Sequence, residues 1–398
     1  MTTDRLPPLV LKKNEQRRLQ AGHLWVYSNE VDTRKTPLTG LQPGELVIVQ
    51  AASGKSLGTA YVNPHSLICA RLFSRRANAR LDAALLERRL RAALELRTQL
   101  FAEPYYRLVF GESDGLPGLV VDRYGDVLVV QITTAGMERV SVEIIDVLQQ
   151  VIGPAGILLR NDSPVRVLEG LPQNTEVIGT VPDSVLLEEG GVRFHVPLGR
   201  GQKTGWFFDQ RSNRLALHKY VRDKQVLDVF SYVGAWGLQA AQAGATQVTC
   251  VDASQPALDV LEQTARDNDL QSALTVRAGD AFDVMQVLRS ERRQFDVVIV
   301  DPPAFIKRRK DIRKGEQGYA RLNNLALELL APGGILVSCS CSMHLAESRL
   351  QHILLQAAVR QGRQLQILER GFQCMDHPVH PAIAETAYLK ALFCRVPA

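Results

Sequence analysis

From about residue 190 the chain alternates short apolar runs with longer segments whose apolar positions recur every three or four residues. The runs predict strands at 225–229, 247–252, 274–278, 295–300 and 334–339. The periodic segments predict helices at 235–243, 256–268, 281–290 and 319–330. Strands and helices in strict alternation indicate a doubly wound, mostly parallel sheet. Upstream the texture differs. Leu81, Leu85, Leu86, Leu90, Ala93, Leu94 and Leu100 fall on one helical face, predicting a helix over 81–102. Strands at 107–110, 119–122, 127–133 and 156–161, with a helix near 137–151, make this stretch an α+β segment. Before it, apolar runs at 46–50, 56–62 and 66–73 are broken by turns such as 51–55, and 12–21 reads as one short helix. That pattern suggests a small β-barrel. The expected domains are therefore 1–75, 76–188 and 189–398, the last α/β and doubly wound.

Composition narrows the class. The chain has 398 residues, of which 45% are hydrophobic, enough to bury more than one core. No run is long and apolar enough to span a membrane, and no cationic-then-apolar leader opens the chain. Cys69, Cys250, Cys374 and Cys394 fall singly on strand-like runs, and Cys339 and Cys341 form a close pair. This is neither a secreted disulfide framework nor a zinc pattern, so no metal is expected and a reducing cytoplasm fits best. Of the net charge of +5, residues 1–76 supply a surplus of six, with eleven Lys or Arg against five Asp or Glu. A basic module on a near-neutral body suits an enzyme acting on a polyanion, or simply a solvated surface.

The chemistry concentrates where predicted strands end. The first strand-to-helix turn carries Asp228, Gly234 and Gly237. A glycine turn serves many nucleotides, and also plain packing. Asp252, Asp280 and Asp301 end the next three strands. Each acid alone is commonly a helix cap. Four at consecutive strand ends repel a phosphate and attract a phosphate-free nucleoside with a sulfonium, such as S-adenosylmethionine. No phosphate loop is present. In the run from Gln202 to Arg211, Phe207 and Phe208 beside acid, amide and base can wall the methionine end of such a ligand, or fill a core.

The fifth strand ends in Ser338-Cys339-Ser340-Cys341-Ser342. A cysteine on an apolar strand is usually inert. A thiolate here has a use if the acceptor is C5 of a pyrimidine, because adding sulfur to C6 makes C5 nucleophilic. Asp301 can then hold the edge of a flipped cytosine. Lys307, Arg308, Arg309 and Lys310 follow directly, with Arg313 and Lys314, as a loop that either grips phosphate or is merely solvated.

Taken together, these motifs resemble the RlmI-type methyltransferases, which make 5-methylcytosine in 23S ribosomal RNA. The likeness runs over the full length. It is carried by Leu11-Lys12-Lys13 through His23–Tyr27, Gly111–Gly118, the Gln202–Arg211 run, Asp228–Gly234, Asp301–Phe305, Ser340-Cys341-Ser342 and Asp376-His377-Pro378-Val379. It implies an N-terminal PUA-like domain, a central α+β domain and a Rossmann-like catalytic domain using S-adenosylmethionine. It also implies Cys341 as nucleophile with Asp301 beside it, while the doubled thiol leaves Cys339 as the alternative. The cofactor set expected is Phe208, Asp209, Arg211, Asp228, Phe230, Ser231, Tyr232, Gly234, Asp252, Ala253, Asn268, Asp280, Ala281 and Asp301. Lys12, Lys13, Arg17, Arg75, Arg76 and Lys307–Lys310 are expected to meet ribosomal RNA of the large subunit. A homodimer is left open. Other readings are a guanine methyltransferase of ribosomal RNA, which needs no cysteine, and an RNA-binding protein with a degenerate methyltransferase fold. A protein-lysine or small-molecule methyltransferase leaves the basic module unexplained.

Overall fold

The computed structural model describes residues 6–198 and 205–398, which excludes Gln202–Thr204 of the aromatic run. The chain packs as two compact units. One joins Met1–Asp183 with Leu198–Trp206 and Met375–Thr386; the other joins Ser184–Pro197 with Phe207–Cys374 and Ala387–Ala398. The described strands form four sheets, and the first unit takes in Leu198–Trp206 and Met375–Thr386 from the expected third domain.

In the first unit, β1 (Pro8–Val10), β2 (Trp25–Tyr27), β3 (Leu46–Gln50), β4 (Ser56–Val62) and β5 (Ile68–Ser74) form a five-stranded sheet in the order β1-β3-β4-β5-β2. Val26, Val47, Val49, Ala60, Val62 and Leu72 are fully buried in its core. The expected helix over 12–21 contracts to α1 (Gln16–Gln20), because Lys13 to Glu15 form a turn. Asp82 then caps α2 (Ala83–Leu100) by accepting from the Leu85 amide. A second sheet follows, of β6 (Tyr105–Phe110), β7 (Leu119–Tyr124), β8 (Val127–Ile132), β9 (Gly156–Asn161) and β10 (Asn174–Gly179), ordered β10-β9-β8-β7-β6. Helices α3 (Ala135–Glu138), α4 (Ser141–Ile152) and α5 (Pro164–Leu168) complete the unit.

The second unit opens with a hairpin, β11 (Ser184–Glu189) and β12 (Val192–Pro197). Its turn is Gly190-Gly191, with φ of +61° and +81°, the left-handed pair a two-residue hairpin requires. After α6 (Arg211–Val221) comes a seven-stranded sheet. Its members are β13 (Gln225–Val229), β14 (Gln247–Asp252), β15 (Leu274–Ala278), β16 (Phe295–Val300), β17 (Leu330–Ser340), β18 (Gln366–Gly371) and β19 (Lys390–Arg395). The order is β15-β14-β13-β16-β17-β19-β18, with β13 to β17 parallel and β19 antiparallel to both its neighbours. Helices α7 (Ala235–Gln242), α8 (Gln255–Asp267), α9 (Ala281–Ser290), α10 (Ile312–Leu329) and α11 (Glu347–Arg360) connect them. Val226, Leu227, Val229, Val251, Val298, Ile299 and Val300 are fully buried, each worth about 1.5–3 kcal/mol of transfer free energy. The reversal of strand order lies between β13 and β16, the position at which open sheets of this kind leave a crevice for a ligand.

The structure alters one sequence expectation near this crevice. Helix α10 begins at Ile312, so Arg313 and Lys314 lie in its first turn and are not part of a loop. The cationic opening of α10 has no apolar periodicity to betray it.

Candidate active site

The four acids gather at one edge of the seven-stranded sheet. Asp228 is the penultimate residue of β13, Asp252 ends β14, Asp280 caps α9 after β15, and Asp301 directly follows β16. They differ in environment. Asp228 is fully buried, and its Oδ2 accepts from the Gly237 amide at 2.9 Å. Burial pushes its carboxyl up to about 8, and the charges of Asp301 and Asp252 act in the same direction. Asp252 accepts from the Tyr232 and Ser254 amides, both at 2.8 Å, one on each oxygen. Asp280 Oδ1 takes the Phe282 and Asp283 amides, so it is a helix cap. Ala281 follows it, buried, and Ala253 follows Asp252, exposed.

Between β13 and α7 the backbone is strained. Phe230 (φ +67°) and Tyr232 (φ +51°) are aromatic residues held in the left-handed region, and Gly234 (φ +82°) is the N-cap of α7. Each aromatic placement costs on the order of 1 kcal/mol or more. The loop is pinned by Phe230 and Ser231 amides donating to Val251 O, and by Gly234 N donating to Ser231 O. Glycine at 237 is a packing requirement: a Cβ there would lie 2.5 Å from Cys250 Sγ. Among the described residues, Asp228 Oδ1 and Ser231 Oγ are buried without a hydrogen-bond partner. Buried polar atoms are normally satisfied, so these two fit a polar guest that would supply the missing hydrogen bonds.

The aromatic run packs beneath this edge. Phe208 is buried, and the Arg211 guanidinium sits over its ring at 5.4 Å. Arg211 Nε donates to Glu189, which also takes two bonds from Arg214 and one from Gln239. Asp209 accepts from Tyr388 Oη. Gln210 Nε2 and Trp236 Nε1 both donate to Asp301 Oδ2, at 3.0 and 3.1 Å. Burial nonetheless pushes Asp301 up to about 6, and the Asp209 charge adds to the effect. Gln210 and Trp236 lay inside motifs read from the sequence, but nothing in the sequence paired them with Asp301.

The two thiols separate sharply. Cys339 is fully buried inside β17, opposite Ala391, and burial pushes its thiol well up. Cys341 lies just past the strand and is the one cysteine of six that is not buried. The segment around it is held by hydroxyls. Tyr319 of α10 bonds Ser340 Oγ and Ser342 Oγ, both at 2.9 Å, and the Ile306 amide donates to Ser342 Oγ at 3.1 Å. That last bond ties the loop after Asp301 to the Cys341 loop. Tyr319 carried no signal in the sequence beyond being an apolar-face residue of a helix.

Other expected residues fall elsewhere. Asn268 does not join the rim. It caps the C-terminal end of α8, and its amide bonds the backbone of Arg193 and Thr264. A helix returning from the Asp252 edge must end at the opposite edge of the sheet. Lys307, Arg308, Arg309 and Lys310 are exposed beyond Ile306; Arg308 approaches Asp311 at 3.8 Å. In the first unit Lys12 and Lys13 are exposed, Lys12 donating to Asn29 O, and Arg17 reaches Asn14. Arg75 donates to the carbonyls of Leu19 and His23, so part of its role is to hold the end of α1. Arg75 and Arg76, with Arg80, Arg88 and Arg89, line a cavity of about 910 Å³. His377 is buried against Phe110 and bonded to Asp376, whose other oxygen accepts the Arg107 amide. This is a brace onto β6. No cluster of metal-ligating side chains occurs among the described residues, and no helix there is long and apolar enough to cross a membrane.

Comparison with known proteins identifies the domains. Residues 9–75 match the model of a PUA-like domain, and residues 156–395 match that of an S-adenosylmethionine-dependent methyltransferase. The chain is 38% identical to ribosomal RNA large subunit methyltransferase I of Klebsiella pneumoniae subsp. pneumoniae, over 100% of both chains. It is also 38% identical to the protein of that name from Cronobacter sakazakii, over 98% of this chain and 99% of that one. A crystal structure described as a methyltransferase complexed with SAH shares the fold, with a TM-score of 0.84 and 22% identity over 98% of this chain and 100% of that one. The cofactor of a chain with this domain is S-adenosylmethionine.

Proposed function

The chain belongs to the S-adenosylmethionine-dependent methyltransferase family that includes the ribosomal RNA large subunit methyltransferase I proteins. From that premise we propose that it methylates C5 of a cytosine in large-subunit ribosomal RNA through a covalent adduct on Cys341. The observation that carries this reading is the half-buried Cys341 thiol, on a loop bonded to the loop that follows Asp301. A guanine acceptor gives such a thiol nothing to do.

S-adenosylmethionine supplies an electrophilic methyl group. Asp228, Ser231 and Asp252 would hold its polar ends, with Phe208, Asp209 and Arg211 behind them and Asp280 at the rim. Phe230, Tyr232, Gly234, Ala253 and Ala281 shape the crevice by backbone placement. Asp301 Oδ2 is occupied by Gln210 and Trp236, which orients Oδ1 toward a flipped base. With its carboxyl near 6, Asp301 exchanges its proton close to neutral pH, which suits a group that holds the cytosine N3/N4 edge while charge moves through the ring. Cys341 as thiolate adds to C6, and its sulfur leaves again once the methylated C5 gives up its proton to a base. Cys339 lies too deep in the sheet to reach a base.

RNA is gripped away from the chemistry. Lys307, Arg309 and Lys310 have no ion-pair partner among the described residues, and they follow the Asp301 loop directly. Arg76, Arg80 and Arg88 line the cavity of the first unit in the same state. Such cations bind phosphate without reading sequence.

The test is methyl transfer from labelled cofactor to large-subunit ribosomal RNA, with nucleoside analysis of the product. Parent protein and Cys339→Ala should yield 5-methylcytidine, and Cys341→Ala should yield none. Methylguanosine as product, or full activity of Cys341→Ala, refutes the proposal.

A further inference from the structure

Lys390 begins β19 opposite Ser340, the last residue of β17. Its side chain is buried, with 7% exposure. The Nζ donates to the carbonyl oxygens of Ser342 and Tyr388, at 2.7 and 2.8 Å. An ammonium has three protons, and no carboxylate pairs with this one. A buried cation without a counter-ion is unfavourable unless an anion forms beside it. Two acids reach it electrostatically. The Cys341 sulfur comes first and Glu347 of α11 second, and Glu347 is already paired with Arg370 at 3.4 Å. We propose that Lys390 is the counter-ion of the Cys341 thiolate, a positioning residue that raises the fraction of sulfur present as nucleophile. The proposal rests on the reading of Cys341 as nucleophile, although its effect on the sulfur can be measured without any methyl transfer.

Tyr319 of α10 meets the loop through neutral hydroxyl bonds. The charge of Asp301 bears on the neighbouring Cys339 and disfavours a second anion at that edge. The partners of Lys390 from β17 and from the approach to β19 are carbonyls, which hold the ammonium but do not neutralise it. Attraction between two titrating groups is reciprocal, so the thiolate that favours the ammonium is favoured by it equally. Burial draws Lys390 down to about 8. The ammonium is therefore available below that pH, the range in which an unassisted thiol, with pKa about 8.5, is mostly protonated. The thiol proton goes to solvent before RNA binds, and Lys390 keeps its own.

The experiment is the pH dependence of Cys341 alkylation by iodoacetamide in the full-length protein, read by mass spectrometry of the peptide. Cys341 is the one cysteine not buried, so the signal belongs to it. Lys390→Met and Lys390→Gln should each slow alkylation about tenfold at pH 7, a one-unit rise in the apparent thiol pKa. Raising the pH should restore the rate. Lys390→Arg keeps the cation and should keep the parent profile. Thermal unfolding identifies a variant that has lost its fold, in which case the other neutral variant is read. Methyl transfer by Lys390→Met should fall in kcat more than in KM for RNA, and should recover as pH rises. Alkylation profiles of the folded Met and Gln variants that superimpose on the parent overturn the proposal. Retained transfer by Cys341→Ala, by contrast, overturns only the covalent mechanism.

Discussion

Glu189 closes the hairpin onto the catalytic sheet, and neutralising it should cost the second unit several kcal/mol. The side chain is 2% exposed. Its Oε1 accepts from Arg214 Nε at 2.6 Å and Gln239 Nε2 at 2.7 Å; its Oε2 accepts from Arg214 Nη2 at 2.9 Å and Arg211 Nε at 3.1 Å. Burial by itself would raise this carboxyl. Arg214 and Arg211 outweigh burial and hold it below its usual range. In Glu189→Gln the volume survives but Arg214, 1% exposed, loses the carboxylate that accepts two of its hydrogen bonds. Removing one partner of such a pair costs about 3–5 kcal/mol. At about 2–4 °C per kcal/mol for a unit of this size, the thermal midpoint should drop by roughly 6–20 °C. Arg214 Nη1 also holds Phe207 O at 3.0 Å, so the segment through Phe208 and Arg211 should loosen and cofactor affinity should fall with it. Urea unfolding and calorimetry of cofactor binding at pH 7 measure the two effects. Because the folded carboxyl is depressed, its contribution is present above the unfolded value of about 4.3. It is lost as pH falls through the folded value, so parent and variant should converge in acid. A loss under about 1 kcal/mol at neutral pH refutes the reasoning, since it would mean that water already screens the pair.

Two further outcomes follow from the charges. Asp228, raised to about 8, favours folding while it keeps its proton; that stability is full below about 4 and lost as pH rises through 8. Asp228→Asn should therefore match the parent in stability at pH 4 and exceed it by a few kcal/mol at pH 9 in chemical unfolding, while binding cofactor more weakly; equal pH profiles would contradict the assignment. Replacing Arg76, Arg80 and Arg88 together with Ala should weaken RNA binding uniformly across sequences. It should also reduce the slope of log K against log salt by about 2–3, which a salt titration of binding checks; an unchanged slope would place the RNA elsewhere.

Much of the catalytic sheet was legible because buried parallel strands leave near-continuous apolar runs. The predicted bounds of β13, β14, β15, β16 and α9 coincide with those observed. The hairpin of β11 and β12 was missed despite a two-glycine turn, since β11 exposes Leu186 and buries Glu189, against the usual apolar-in, polar-out alternation. Strand β18 alternates exposed and half-buried residues at a sheet edge and left no apolar run to find. Asn268 was misplaced because sequence distance from Asp252 does not tell which end of a helix faces the crevice.

Local order along the chain determined the fold class, the acidic strand ends and the presence of a thiol after the fifth strand. These depend on periodicity and on which residue follows a strand, both of which are written in one dimension. Only the tertiary structure decided which sulfur is accessible, that Gln210 and Trp236 orient Asp301, that Glu189 gathers two arginines, and that Lys390 lies against the Cys341 loop. Each of those pairings joins residues far apart in the chain. Burial sets its strength, and burial is a property of the packed molecule, not of any segment.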